Sequence, residues 1–185
     1  DVKAISDYCC TSSNAVNVVN SIDVKKKIIF VPDKNLGEFV KQKTGRDMVL
    51  WPGYCPTHVL ATADDVKKIQ TAHPAAVTLA HPECPPDVVA ASDFSGSTSA
   101  MIKYVENTQS PRYLLLTECS MGDNVAAENP GKEMLRLCSV RCPHMNQITL
   151  EDTLNALRYN RYVIEVPEEI RVRAKRAVDR MLAIG

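Results

Sequence analysis

Charge of one sign is what this sequence most plainly lacks: 22 Lys and Arg are balanced by 22 Asp and Glu, for a formal net charge of +0 and an isoelectric point near 7.0. Nucleic-acid and anionic-membrane partners normally show as a basic excess, so neither is expected. No apolar run approaches the ~18 residues of a membrane span, and the first residues are neither basic nor apolar enough for a signal peptide; the expected location is cytoplasmic. No Cys-x2-Cys pair occurs, and the tight spacing of a zinc finger is missing with it. The seven cysteines (9, 10, 55, 84, 119, 138 and 142) are an odd number in an aliphatic-rich chain. That argues against a secreted disulfide framework and leaves them as small buried hydrophobes or as ligands. No low-complexity linker interrupts the chain.

What is present is a repeat. Trp51-Pro52-Gly53-Tyr54-Cys55-Pro56-Thr57-His58 returns, degraded, as Arg141-Cys142-Pro143-His144-Met145, 87 residues later. Seven residues after each cysteine stands a threonine followed by acidic residues, Thr62-Ala63-Asp64-Asp65 and Thr149-Leu150-Glu151-Asp152, which is a helix-start signal. Asp7-Tyr8-Cys9-Cys10-Thr11-Ser12-Ser13-Asn14 aligns likewise with Asp93-Phe94-Ser95-Gly96-Ser97-Thr98-Ser99-Ala100. One unit of about 85 residues is thus used at least twice, at the small end of independent domains. The counterpart of His81-Pro82-Glu83 would fall before Asp1, and there is no initiator methionine, so upstream sequence is expected to belong to the working protein.

Periodicity and capping signals predict helices over 12–20, 36–44, 62–72, 87–91, 98–107, 126–137, 150–158 and 167–182. Short apolar runs predict strands over 28–31, 48–50, 77–80, 113–117 and 162–164. This alternation implies an α/β fold with short parallel sheets and ligand groups at the carboxyl ends of the strands.

Three constellations can carry chemistry. The hydroxyl clusters Thr11-Ser12-Ser13 and Ser97-Thr98-Ser99 stand at predicted helix N-termini, where free N–H groups attract phosphate or carboxylate; simple capping is the alternative. His81 and Glu83, flanking Pro82 at a strand end, suit acid–base work or substrate binding, or else form a surface turn. Cys55-x2-His58 and Cys138-x3-Cys142-x-His144 can be combined into a zinc site. Alternatively Cys55 and Cys142, one from each repeat, converge on a shared iron–sulfur centre that needs a further ligand from elsewhere.

Taken in order, several blocks resemble the quinolinate synthase family of bacteria and archaea. They are Asp7-Tyr8-Cys9-Cys10-Thr11-Ser12-Ser13-Asn14-Ala15-Val16, Pro32-Asp33-Lys34-Asn35-Leu36-Gly37, Trp51 through His58, His81-Pro82-Glu83-Cys84, Ser95-Gly96-Ser97-Thr98-Ser99, Thr117-Glu118 and Cys142-Pro143-His144-Met145. The resemblance runs through the closing Val166-Pro167-Glu168-Glu169-Ile170 helix.

It implies pseudo-repeated, three-layer α/β/α domains, two of the family's three being present. Residues 1–58 would be the remainder of the second domain, 59–145 the third repeat, and 146–185 the helices and strand that complete the fold. It implies a transferase of NAD biosynthesis that condenses iminosuccinate with dihydroxyacetone phosphate to quinolinate, losing phosphate and water, with L-aspartate oxidase as metabolic partner. It further implies a 4Fe-4S cluster held by three cysteines, of which Cys55 and Cys142 match two and the third belongs to the absent first domain. Cys84 is then a neighbour of the site and Cys138 an accessory thiol. His81 and Glu83 match acid–base positions, and Ser12, His81, Pro82, Glu83, Ser97 and Thr98 match substrate-binding positions. The residues by themselves also allow a non-catalytic zinc- or ligand-binding module, or a metal-free enzyme doing phosphate chemistry in the hydroxyl-lined crevice.

Overall fold

The computed structural model describes residues 1–137 and 140–185. The chain divides into two compact units, Thr11–Arg141 and a smaller one made of Asp1–Cys10 with Cys142–Gly185. In chain order the first elements are α1 (Val2–Ile5), α2 (Ala15–Ser21), β1 (Ile28–Phe30), α3 (Lys34–Thr44) and β2 (Met48–Leu50). After a 3-10 turn at His58–Leu60 come α4 (Ala63–Ala72), β3 (Ala76–Ala80), α5 (Pro86–Ala91), β4 (Phe94–Ser95) and α6 (Thr98–Asn107). β5 (Arg112–Leu116), α7 (Cys119–Glu128) and β6 (Glu133–Leu135) follow, then a 3-10 turn at Met145–Gln147, α8 (Leu150–Tyr159) and α9 (Glu168–Ile184).

The larger unit is α/β, with every strand pairing parallel. β1 pairs with β2 in register Ile28↔Met48, and a second sheet has the order β4-β3-β5-β6, with Ala76↔Arg112 and Ala80↔Leu116 across its centre. Alternate residues of β3 and β5 feed opposite faces, as a pleated strand requires. Ala80, Leu114 and Leu116 pack with Val66 of α4 and Val88 of α5, whereas Leu79, Tyr113 and Leu115 pack with Met101 and Val105 of α6 and Val125 of α7. Burial on both faces explains why these strands read as unbroken apolar runs. The result is the anticipated three-layer arrangement.

Caps set the helix ends. Asp33 opens α3 by accepting from the Leu36 N–H (2.8 Å), and Gly45 closes it in the left-handed region (φ 67°) with Lys41 and Lys43 in the last turn. Thr62 and Thr149 each make a reciprocal capping box, with Asp65 and Asp152. The repeat therefore survives at the level of individual bonds. Cys55 O accepts from Val59 N (3.3 Å) and Thr57 O from Leu60 N (3.2 Å); Cys142 O accepts from Asn146 N (3.2 Å) and His144 O from Gln147 N (3.3 Å).

In the smaller unit α1 lies along α9, Cys9 N donates to Ala177 O (3.1 Å) and Arg180 Nη1 to Asp7 O (2.9 Å). No described helix is long and apolar enough to cross a membrane.

Three expectations change, and one strand is added. The helix predicted over 126–137 is instead the end of α7 and strand β6, because Pro130 and Gly131 break the helix and Met134 is drawn into the sheet beside Tyr113. No strand forms over 162–164: Asn160 and Tyr162 take positive φ (47° and 61°), and Tyr162, Val163 and Ile164 are exposed with no strand partner among the described residues. The helix expected over 12–20 begins only at Ala15. Thr11, Ser13 and Asn14 bond one another in a turn, with Thr11 N–H donating to Asn14 Oδ1 (2.8 Å) and the Thr11 and Ser13 hydroxyls 2.7 Å apart. The two-residue strand β4 was too short to leave a pattern.

Candidate functional site

The larger unit gathers its polar side chains where parallel strands end, as doubly wound folds do. β1 leads to Asp33, β2 to the Cys55 loop, β3 to His81-Pro82-Glu83, β4 to Ser97, and β5 to Thr117.

Three consecutive residues at the start of α3 tie two of these segments together. Asp33, 5 % exposed, accepts from Cys55 N–H through Oδ2 (2.7 Å) while its other oxygen caps the helix. Lys34 N–H donates to Gly53 O (2.8 Å), and the buried Asn35 amide donates to Glu83 O (3.0 Å). Burial pushes the Asp33 carboxyl up, against the lowering effect of its main-chain donors. Gly53 is required where it stands, since a Cβ there would lie 2.5 Å from Pro32 O.

His81 follows β3 directly. Its N–H donates to Leu116 O (3.1 Å), its carbonyl accepts from Cys84 N–H (2.9 Å), and the segment turns instead of staying extended as expected from sequence. The side chains of His81 and Glu83 still meet, with His81 Nδ1 4.0 Å from Glu83 Oε2. Because Nδ1 accepts from Glu83 N–H (3.3 Å), the neutral ring carries its proton on Nε2, which donates to Ser12 Oγ (3.1 Å). Burial above all, then the neighbouring His58, lowers the His81 pKa to about 4, with Glu83 opposing.

His58 completes the group. Its Nε2 is 3.0 Å from Thr117 Oγ1 and its ring stacks on that of His81, centroids 4.6 Å apart. Its buried Nδ1 faces Glu83 Oε2 at 3.1 Å, an ion-pair contact without the geometry of a directed hydrogen bond. His58 is the main cause holding the Glu83 carboxyl below its usual range, against burial. The Cys55 thiol adjoins them: one donor atom from each of Cys55, His58 and Glu83 lies within 4.8 Å of the others.

The structure therefore brings together Cys55, Ser12, His81 and Glu83, with Pro82 buried in the turn between the last two. Ser12 reaches the site from a turn and not from a helix N-terminus. Ser97 is the N-cap of α6, accepting from Ala100 N–H (3.3 Å), and Thr98 is the exposed first residue of that helix. Gly96 N–H donates to Ala80 O (3.2 Å), which sets this helix start beside the end of β3. Cys142 lies in the smaller unit, half-buried. Cys84 is a core thiol: it donates to Leu116 O (3.3 Å), and burial pushes its pKa to about 12. Cys138 lies outside the described residues. Asp33, Asn35 and Thr117 received no role from sequence, although all three stand in the blocks quoted for the resemblance, and His58 entered only as half of a zinc pairing.

The family described as quinolinate synthetase A protein matches residues 1–183. Among curated proteins, quinolinate synthase 2 of Mesorhizobium japonicum is 48% identical over 184 residues, covering 100% of this chain and 56% of the relative. Quinolinate synthase of Agrobacterium fabrum is 48% identical over 183 residues (99% of this chain, 52% of the relative). That of Geobacter metallireducens is 47% identical over 184 residues (99% and 60%). The chain thus spans between 52% and 60% of the length of these relatives.

Proposed function

Because the chain belongs to the quinolinate synthetase A family, we propose that its protein is a quinolinate synthase of NAD biosynthesis, condensing iminosuccinate with dihydroxyacetone phosphate and releasing phosphate and water. The observation that carries this reading is the convergence of Glu83, His81 and Ser12 beside Cys55 at the carboxyl ends of parallel strands.

In this reading Glu83, ionised and held by His58, is the base that takes up the proton released as the two substrates join. His81 stays neutral and donates from Nε2 to Ser12; the Ser12 hydroxyl then turns its own proton outward to a substrate carboxylate. Ser97 and Thr98, at the N-terminus of the ten-residue helix α6, receive an anionic group of the substrate. Pro82 stiffens the turn that sets the spacing of His81 and Glu83. An oxidase acting on L-aspartate supplies the iminosuccinate.

Cys55 fits a 4Fe-4S cluster as one thiolate ligand, since it is half-buried, free of any disulfide and on a loop fixed by Asp33. We assign it and Cys142 to two of the three cysteine positions. When bound, the cluster supplies an open iron that acts as a Lewis acid on a substrate oxygen.

The test is Glu83→Gln in the complete enzyme, assayed anaerobically for quinolinate with iron content measured in parallel. Turnover is expected to fall about 10²-fold or more with iron unchanged. Undiminished turnover would remove Glu83 from the mechanism, and no quinolinate from the unsubstituted enzyme would overturn the whole reading.

A further inference from the structure

We propose that Cys55, His58 and Glu83 form a binding site for a single divalent metal ion of borderline softness, Zn(II) above others, which fills whenever Cys55 is not engaged in a cluster. Its donors all come from this chain, so it does not rest on the quinolinate reading.

The spacing suits three corners of a tetrahedron. The three donor atoms lie within 4.8 Å of one another, and the 3.1 Å from His58 Nδ1 to Glu83 Oε2 is close to the edge spanned by two ligands bonded at about 2.0–2.2 Å to one ion. A thiolate, an imidazole and a carboxylate make a mixed set that Zn(II) accepts, and their summed charge cancels that of a divalent cation.

The second observation is the state of His58. The residue is only 9 % exposed, and its buried Nδ1 makes no directed hydrogen bond, meeting only the Glu83 carboxylate at 3.1 Å. Its other nitrogen is anchored on the Thr117 hydroxyl (3.0 Å). A ring anchored through one nitrogen on an outer hydroxyl, with the other nitrogen facing a carboxylate oxygen, is oriented as metal-bound histidines are, and an ion entering between Nδ1 and Oε2 takes the place of a proton. The Asp33 carboxylate on Cys55 N–H and the Asn35 amide on Glu83 O fix both flanking segments before any ion arrives. Three protein donors leave a fourth position for water.

Sharing Cys55 makes the ion and a cluster exclude each other. The test is titration of the metal-stripped, reduced, anaerobic chain with Co(II) as an optical probe for Zn(II). One equivalent is expected to bind, with d–d absorption of tetrahedral strength and a thiolate-to-cobalt charge-transfer band that Zn(II) abolishes. Cys55→Ser removes the charge-transfer band, His58→Ala removes stoichiometric binding, Thr117→Val weakens binding about 10- to 100-fold, and Cys142→Ser changes none of these. Thr117→Val leaves all three ligands in place and guards against a misfolded His58 variant. Absence of stoichiometric binding, or bands that survive both Cys55→Ser and His58→Ala, would overturn the site. Quinolinate formation by the complete enzyme is a separate measurement, so either reading can fail alone.

Discussion

The rings of His58 and His81 lie 4.6 Å apart and within 20° of parallel, though one follows the Cys55 loop and the other follows β3. Two imidazoles so close cannot both be protonated at low cost, and Glu83 lies against both.

The first prediction concerns acid. Folding lowers the His81 pKa from its ordinary 6.5 to about 4, so between those values the unfolded chain binds a proton that the native chain does not. The stabilisation is complete above about pH 6.5 and is lost as pH falls toward 4; the lowered carboxyl of Glu83 acts in the same direction. Urea unfolding between pH 7.5 and 4.5 should show this decline, and His81→Gln should flatten it. An unchanged slope in that variant would place the acid sensitivity elsewhere.

Asp33 should matter to Cys55 as well as to α3. Asp33→Ala strands the Cys55 and Leu36 amides and is expected to cost about 2 kcal/mol or more in denaturant unfolding. The freed loop should also raise the alkylation rate of Cys55 by iodoacetamide, read by mass spectrometry, while Cys84 stays protected in the core. Equal Cys55 alkylation in wild type and variant would show that the contact does not hold the thiol.

Gly53→Ala places a methyl group against Pro32 O, main-chain atoms that cannot swing aside as a side chain can. A loss of about 1–3 kcal/mol is expected. A neutral result would mean that the loop relaxes without resistance.

The duplicated caps offer a paired comparison. Thr62→Ala and Thr149→Ala each remove the hydroxyl half of a capping box, leaving the main-chain N–H to the aspartate, and should each cost about 1 kcal/mol, monitored by helix circular dichroism on titration with urea. Serine at either position should restore most of the loss, whereas valine should not.

These two threonines also show what a sequence can reveal. Helix starts are local: a hydroxyl and a carboxylate three residues apart announce a cap whatever surrounds them, and both boxes form. The buried strands 77–80 and 113–117 were legible because burial on both faces leaves an uninterrupted apolar run. β6 was not, because Met134 is held by pairing with Tyr113, a long-range contact that no window of sequence contains. The site divides in the same way. His81 and Glu83 were visible as a motif at a strand end, but Asp33, Asn35 and Thr117 reach the site through partners 22, 48 and 59 positions away.

The grip of Asp33, Lys34 and Asn35 on two segments also limits how the chain can change in length. One residue inserted after Asp33 would turn all that follows by about 100° around the helix axis, so that the cap could stay on Cys55 while the amide swung away from Glu83. A deletion would do the reverse. Variation in length is therefore tolerable on the far side of α3, beyond Gly45, and intolerable at its first turn.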